Sequence, residues 1–503
     1  MSDSLDVVQD GISEFREAAR APTMPRMHNG LSTTRRVVSA SVIVGLQVGL
    51  DVLAMVLAII VADHYHHVGH GSATVLWMLF FSGSLLLALW HFGFYRISRL
   101  TQWSGSPFAF LLFMPASIVV MSLVYLAVPE SQVVEPGWLS MVVAVSLASM
   151  WLGRFLLTWV IRAGLRRGLL GESVAVVGTG AVARKFIEQL LSHPQDQWCY
   201  LVGVFDDRTE HRRAVFPGVS LLGRIDDIER YVRDGMVQHI VIALPLDASI
   251  SVDDLRRKLA SMPASLSLTW DPVRAVVGPS AIPSGGNLSL LQEMPLLKLK
   301  ELPTFGWAAI AKWFEDRLLA VFALLLLAPL FVVIAILIKL DSPGPVLFRQ
   351  RRYGFNKRPI MVYKFRTMHH DSAGNQRFRQ ATKHDKRVTR LGRLLRKTSL
   401  DELPQLFNVL EGKMSLVGPR PHPVELDDHF KRLIEGLDER HCVKPGITGW
   451  AQINGFRGET DTLEKMEARI AYDITYIENW SLWLDIKILM RTAVGGWVDD
   501  NAY

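Results

Sequence analysis

Asp401 and Glu402 are adjacent carboxylates set directly before an apolar stretch, Leu403 to Leu410, and just after a strongly basic segment. Between Arg349 and Lys397 there are sixteen Lys or Arg against two acids, Asp371 and Asp385. Cations at that density suit phosphates, anionic lipid headgroups or nucleic acid. Lys364, Arg366, Arg396 and Arg420 can each meet phosphate oxygens, and arginine does so with a planar two-pronged fork. A diphosphate is the natural match, and an ionised carboxylate becomes a competent nucleophile toward its phosphorus once the surrounding charge is masked. The pair also admits a bland reading, a capping box of Ser399 with Glu402. Pro404 weakens it, because with Ser399 as N-cap the proline falls inside the helix and removes a hydrogen bond. Asp401 as N-cap places Pro404 in the first turn, and sets the Asp401 carboxylate at the positive end of a helix among cations, which favours its ionised form.

The same third of the chain carries DSPGP at Asp341 to Pro345, YKFRTM at Tyr363 to Met368, TSLDEL at Thr398 to Leu403, MSLVGPRP at Met414 to Pro421 and KPGITGWAQIN at Lys444 to Asn454. Glycines and prolines at this frequency build rigid loops close to a ligand. Nucleic acid fits poorly, since the basic segment follows a long apolar run and has no recognisable nucleic-acid-binding motif.

The elements that must position these residues begin in a membrane. Half of the 503 residues are hydrophobic and the net charge is +7, which points to a polytopic membrane protein with soluble parts. Residues 1–36 read as a polar cytoplasmic tail without signal-peptide character. Within 37–162 four apolar stretches, Val37 to Ala62, Val75 to Phe94, Phe108 to Val128 and Trp138 to Ile161, are each near the ~20 residues that a spanning helix needs. Arg35, Arg36, Arg96, Arg99, Arg162, Arg166 and Arg167 flank them on alternate sides, which puts both ends of the bundle in the cytoplasm. Asp51 and Arg154 lie inside these stretches at depths of ~20 Å and ~10 Å, so that a direct pair looks strained and Arg154 is expected to snorkel. His64, His66, His67 and His70 in the first outer loop are left out of the chemistry. The two cysteines, Cys199 and Cys442, imply no disulfide framework.

Residues 172–263 alternate short β-rich runs with helical stretches and read as a Rossmann-like α/β domain. Gly178 and Gly180 open a G-x-G-x-x-A loop after the first run, and the second run ends in Asp206 and Asp207, a candidate dinucleotide site or simply a turn. Residues 264–311 read as a Pro- and Gly-punctuated linker. Leu318 to Leu340 is a further apolar run with Pro329 near its middle and basic flanks, Arg317 and Lys339. A spanning helix would carry the remaining chain outside. A helix broken at Pro329 that enters and leaves on the cytoplasmic face agrees with both flanks.

Residues Lys312 to about Thr492, with the motifs above in this order, resemble the catalytic region of the polyprenyl-phosphate glycosyl-1-phosphate transferases. Four helices and a Rossmann-like domain ahead of it resemble the large members of that family. The tail from GETDTLEKM, Gly458 to Met466, through Asn479, Trp480 and Ser481 looks most like the undecaprenyl-phosphate glucose phosphotransferases. The resemblance implies an α-helical membrane bundle of four transmembrane helices, a Rossmann-like α/β domain and a mainly α catalytic domain, 312–503, with a re-entrant membrane helix, in the bacterial inner membrane. It implies transfer of a hexose-1-phosphate from a UDP-sugar to undecaprenyl phosphate, by attack of Asp401 on the sugar-bearing phosphorus, release of UMP and passage of the phosphosugar to the lipid. Glu402 completes the family's dyad, Mg²⁺ is the implied ion at Asp401, and the phosphate-binding residues fall on Lys364, Arg396 and Arg420. Arg366 is added from charge and proximity. The family's hairpin break is often Ser-Pro, whereas Ala328 precedes Pro329 here.

One phosphoanhydride is exchanged for another, so no nucleotide-hydrolysis motif is expected. A membrane nucleotide-sugar dehydratase would need a second glycine-rich motif and a helical Tyr-x-x-x-Lys pair; Tyr353 and Lys357 have that spacing but lie among Gly354, Pro359 and a run of arginines. A membrane sensor binding nucleotide through the Gly178 loop leaves the C-terminal motifs unexplained. Glucose against galactose, and homo-oligomerisation, stay open at the level of sequence.

Overall fold

The computed structural model describes residues 40–495 apart from 67–71, 104–106, 112–113, 116–117, 120–135, 167–169, 192–197, 208–218, 244–251, 270–286, 292–293, 301, 303–305, 370–384, 435, 457 and 459–461. The expected tail 1–36, most of the third apolar stretch, and His67 and His70 lie outside the described residues. The chain divides into two compact units.

The first unit is built on α1 (Ala40–His66), α2 (Ser72–His91) and α3 (Pro136–Arg166). Its pattern is inverted relative to a water-soluble bundle. Leu46, Leu53, Leu57 and Ile60 on α1 and Leu152, Leu156 and Trp159 on α3 face outward, while Gln47, Asp51, Ser146, Arg154 and Thr158 are buried. Such a surface suits hydrocarbon, with the polar groups turned inside. Among the described residues, three helices are long and apolar enough to cross a membrane: Ala40–Tyr65, Gly137–Leu165 and Gly306–Asp341.

The depth argument against an Asp51–Arg154 pair is corrected here. Arg154 Nη2 lies 2.5 Å from Asp51 Oδ2, both side chains are fully buried, and Tyr95 and Gln47 donate to the same carboxylate at 2.9 and 2.7 Å. Helix α3 is described as far as Arg166, five residues beyond the expected end at 161. Arg154 is then about 18 Å from that end, close to the ~20 Å read for Asp51. The rings of Phe94, Tyr95 and Phe110 surround the guanidinium at 5.0–5.5 Å, so Arg154 is caged rather than snorkelling.

The α/β region forms one seven-stranded sheet in the order β3-β2-β1-β4-β5-β7-β6. Its strands are β1 (Glu172–Val177), β2 (Cys199–Phe205), β3 (Leu221–Gly223), β4 (His239–Ile242), β5 (Ser265–Thr269), β6 (Asn287–Leu291) and β7 (Met294–Lys300). The helices α4 (Ala181–Leu191), α5 (Ile228–Arg233) and α6 (Val252–Ala260) alternate with them. β4 and β5 are parallel, and the hairpin β6–β7 adds antiparallel to β5. The stretch 264–311 expected as a linker therefore holds three strands. Its Pro- and Gly-rich part, 271–286, masks the alternating leucines on either side, which are the strand signal.

The C-terminal part starts with α7 (Gly306–Asp341), which stays helical through Pro329. Proline there removes one backbone donor, and the helix continues on both sides instead of breaking as expected. The antiparallel hairpin β8 (Leu347–Tyr353) and β9 (Pro359–Phe365), the helices α8 (Arg390–Lys397) and α9 (Gln405–Leu410), and the short parallel pair β10 (Ser415–Val417) and β11 (Gly446–Thr448) follow, with α10 (Val424–Phe430) between the last two strands. Helices α11 (Leu463–Glu478) and α12 (Leu482–Gly495) close the chain. Both halves of α7 pack on this domain. Ala320, Ala323 and Leu324 join Leu406, Val409 and Val417, and Ile334 and Ile338 join Phe365 and Leu395. Asp316 accepts from Ser415 Oγ and Leu416 N at 2.9 Å each, fixing the start of the helix. Its other face, with Leu318, Phe322, Leu325, Leu326 and Leu340, is exposed and apolar.

Candidate active site

Asp401 and Glu402 lie on a single 3-10 turn, Leu400–Glu402, led by Ser399 in a left-handed conformation at φ 55°. Helix α9 starts only at Gln405, with Pro404 as its N-cap and no side-chain cap. Neither capping arrangement read from the sequence forms, because the tight turn bonds itself: Glu402 N donates to Ser399 O and Leu403 N to Leu400 O. Asp401 is thus one turn short of the helix whose dipole it was expected to meet.

The two carboxylates have opposite surroundings. Glu402 is buried and saturated: Lys364 Nζ donates to Oε1 at 2.6 Å, and the Arg420 fork reaches Oε1 and Oε2 at 2.6 and 2.9 Å. Burial disfavours its charge, yet Arg420 and Lys364 outweigh burial and hold the carboxyl well below the usual range. Asp401 is 8% exposed and, among the described residues, takes no ion pair and no side-chain hydrogen bond. Burial pushes it up to about 6, with Lys364 opposing and Glu402 reinforcing. The expectation that its surroundings favour ionisation is corrected: desolvation outweighs the cations, and at neutral pH the group remains roughly nine-tenths charged.

The structure brings Lys364, Arg396, Arg420 and the two acids together. Lys364 comes from β9, and burial lowers its pKa. Arg396 comes from the last turn of α8, where Nε donates to Thr367 Oγ1 at 2.9 Å. That contact needs α8 to lie on the Thr367 backbone, and Gly392 permits it, since a Cβ there would sit 2.1 Å from Thr367 O. Arg420 hangs from a loop held by interlocked glycines: a Cβ on Gly446 would meet Gly418 N at 2.1 Å, and one on Gly449 would meet Gly418 O at 2.3 Å. The MSLVGPRP and KPGITGW motifs are therefore the two halves of one backbone knot.

Arg366 is not part of the cluster. Its guanidinium donates to Pro343 O, Ser342 O, Ser342 Oγ and Ile338 O at 2.6–3.3 Å, capping the C-terminal end of α7. Charge and proximity in sequence misassigned it, because β9 ends at Phe365 and Arg366 lies beyond the strand, where residues two apart no longer share a face. Pro329 sits inside α7 near Leu330 and Phe331, which pack against Phe365. Gly178 and Gly180 follow β1, with Gly178 at φ +109°. Asp206, which would meet a ribose in a dinucleotide site, instead accepts from Thr179 N at 2.9 Å and Thr179 Oγ1 at 2.6 Å.

Sequence reasoning missed Arg352, whose Nη1 donates to Pro421 O and whose pKa burial lowers to about 10. It also missed Asp427, Arg440, Arg469 and Asp473, all buried behind Arg420. A legible signal existed for two of them. Arg469 and Asp473 fall on the buried stripe of α11 beside Met466, Ile470 and Ile477, where a charge requires a partner.

A family model described as bacterial sugar transferase matches residues 307–497, and one described as CoA-binding domain matches residues 90–269. A UDP-glucose:undecaprenyl-phosphate glucose-1-phosphate transferase of Xanthomonas campestris is 40% identical over 378 residues, 73% of this chain and 75% of the relative. The chain belongs to the bacterial sugar transferase family. A second such sugar transferase, named for the same reaction in Escherichia coli, is 42% identical over 334 residues, 66% of this chain and 68% of the relative. An undecaprenyl-phosphate glucose phosphotransferase of Komagataeibacter xylinus is 37% identical over 390 residues, 76% and 69%. The protein is accordingly a sugar-phosphate transferase, and Lys364, Arg396, Asp401, Glu402 and Arg420 all lie inside the sugar transferase match.

Proposed function

We propose that this enzyme transfers glucose-1-phosphate from UDP-glucose to undecaprenyl phosphate, releasing UMP, at the cytoplasmic face of the bacterial inner membrane, as the first step of exopolysaccharide repeat-unit assembly. The observation that carries the proposal is the contrast within the dyad: a saturated Glu402 fixes Lys364 and Arg420 beside an Asp401 that has no protein partner among the described residues. Lys364, Arg396 and Arg420 hold the diphosphate. An Asp401 oxygen attacks the sugar-bearing phosphorus, the bond to UMP breaks, and the lipid phosphate then takes the phosphosugar from the aspartate. Partial desolvation strengthens the nucleophile while leaving it ionised at neutral pH.

Asp401 also suits a divalent cation. Such ions use one or two carboxylates plus substrate phosphates and waters, so the lack of any three-residue His, Cys, Asp or Glu group among the described residues is no obstacle. Bound Mg²⁺ would neutralise diphosphate charge there. The re-entrant course of α7 is supported by both of its halves packing on the domain that carries Asp401, which a straight spanning helix would not allow for its far end. Glucose rather than galactose is supported by the names of the relatives.

Detergent-purified enzyme with undecaprenyl phosphate, Mg²⁺ and sugar-labelled UDP-glucose, UDP-galactose or UDP-N-acetylglucosamine tests this. Label should enter the organic phase from UDP-glucose with release of UMP. Transfer only from another donor would overturn the sugar assignment, and a soluble keto-sugar would overturn the reaction class.

A further inference from the structure

The Arg420 loop is gripped from behind at three successive residues. Arg440 Nη2 donates to the backbone oxygen of Arg420 at 2.5 Å, Arg352 Nη1 donates to Pro421 O, and the His422 ring is wedged between Asp427 and Arg440. His422 Nδ1 lies 2.9 Å from Asp427 Oδ1. Arg440 Nη1 lies against both ring nitrogens, nearer Nδ1 than Nε2, the latter at 3.1 Å, and Arg469 Nη1 faces Nε2 at 3.4 Å. Burial and the neighbouring guanidiniums keep this ring neutral. Arg440 is anchored in turn by Asp473 Oδ2 at 2.9 Å, and its side chain is 1% exposed, so it cannot touch a substrate.

Resting on the phosphotransfer reading above, we propose that Arg440 is a positioning residue for the reaction: through the backbone carbonyl of Arg420 it sets the direction from which the Arg420 fork meets Glu402 and the donor diphosphate. The chemistry demands arginine. One planar group donates to the Arg420 carbonyl, ion-pairs with the Asp473 carboxylate and lies against the His422 ring at once, whereas an ammonium is a compact point charge that cannot span the three. Asp427 and Asp473 balance the charge, so Arg440 adds little field at the site and acts through geometry. A displacement of about 1 Å at a binding group can cost on the order of 10²-fold in rate.

A double-mutant cycle tests this on the full-length enzyme, with transfer from UDP-glucose measured under single-turnover conditions and thermal unfolding followed alongside. Arg440→Lys should slow transfer about 10- to 100-fold in the otherwise unchanged enzyme, and less than about twofold in an Arg420→Ala background, because the group it aims is gone. Asp473→Asn, which leaves Arg440 an oxygen acceptor, should give a smaller loss that also vanishes in that background. It carries the same cycle if Arg440→Lys does not fold. Losses that multiply with Arg420→Ala, or an Arg440→Lys enzyme as fast as the parent, would overturn the positioning role. A parent enzyme inactive on every UDP-sugar would instead overturn the phosphotransfer reading.

Discussion

Adjacent carboxylates in one basic cluster differ because only one of them is paired. Replacing Glu402 by Gln leaves Lys364 and Arg420 buried against a neutral partner, and breaking such a pair costs roughly 3–5 kcal/mol. Asp401→Asn should do the reverse. Its folded pKa lies above the unfolded value, so the acid form is favoured in the fold and stability is lost as pH rises from about 4 through about 6. Removing that charge should stabilise the fold at pH 7 by roughly 1–3 kcal/mol while lowering transfer at least about 10³-fold. Thermal unfolding and label transfer on the two variants read these opposite signs. With Asp401 as the proposed nucleophile, kcat/KM for the donor should fall tenfold per pH unit below about 6, as protonation removes its charge. A flat profile between pH 5 and 7 would contradict this.

At the scale of elements, α7 is fastened at its start by Asp316 and at its end by Arg366. Arg366→Ala should therefore destabilise the domain, by roughly 1–3 kcal/mol for the carbonyls left unpaired, and leave KM for the UDP-sugar within about twofold. A large rise in KM with unchanged stability would return Arg366 to the phosphate site. What was legible here followed periodicity and motif. The Rossmann-like start at β1 and the long apolar α7 can be read from residue type and spacing, while the grouping of Lys364, Arg396 and Arg420 with the dyad comes from the motifs' resemblance to the family. Residue roles that depend on where a strand ends were not legible, and Arg366, just past the end of β9, is the instance. Nor was the 3-10 turn at Leu400–Glu402, since Ser399 adopts a left-handed conformation that its own type does not signal. The strands β6 and β7 were hidden by the proline-rich stretch before them.

The chain carries a bundle with polar groups inside and a domain with a buried, basic site. In the bundle, Asp51 and Arg154 have no water to fall back on, so Arg154→Leu alone should impair insertion and yield, as judged by membrane-fraction protein, and adding Asp51→Asn should recover part of the loss. Equal defects in the single and double variants would show that the ion pair is not what matters. On the catalytic side, the exposed apolar face of α7 lies on the domain that presents Asp401, as the proposed transfer from a soluble nucleotide sugar to a lipid phosphate requires. The most direct measurement is isotope exchange: labelled UMP, unlabelled UDP-glucose and Mg²⁺ with the purified enzyme and no undecaprenyl phosphate. Label should appear in UDP-glucose with the parent enzyme and not with Asp401→Asn. Robust lipid transfer with no such exchange in the absence of lipid would contradict a phosphosugar held covalently on Asp401.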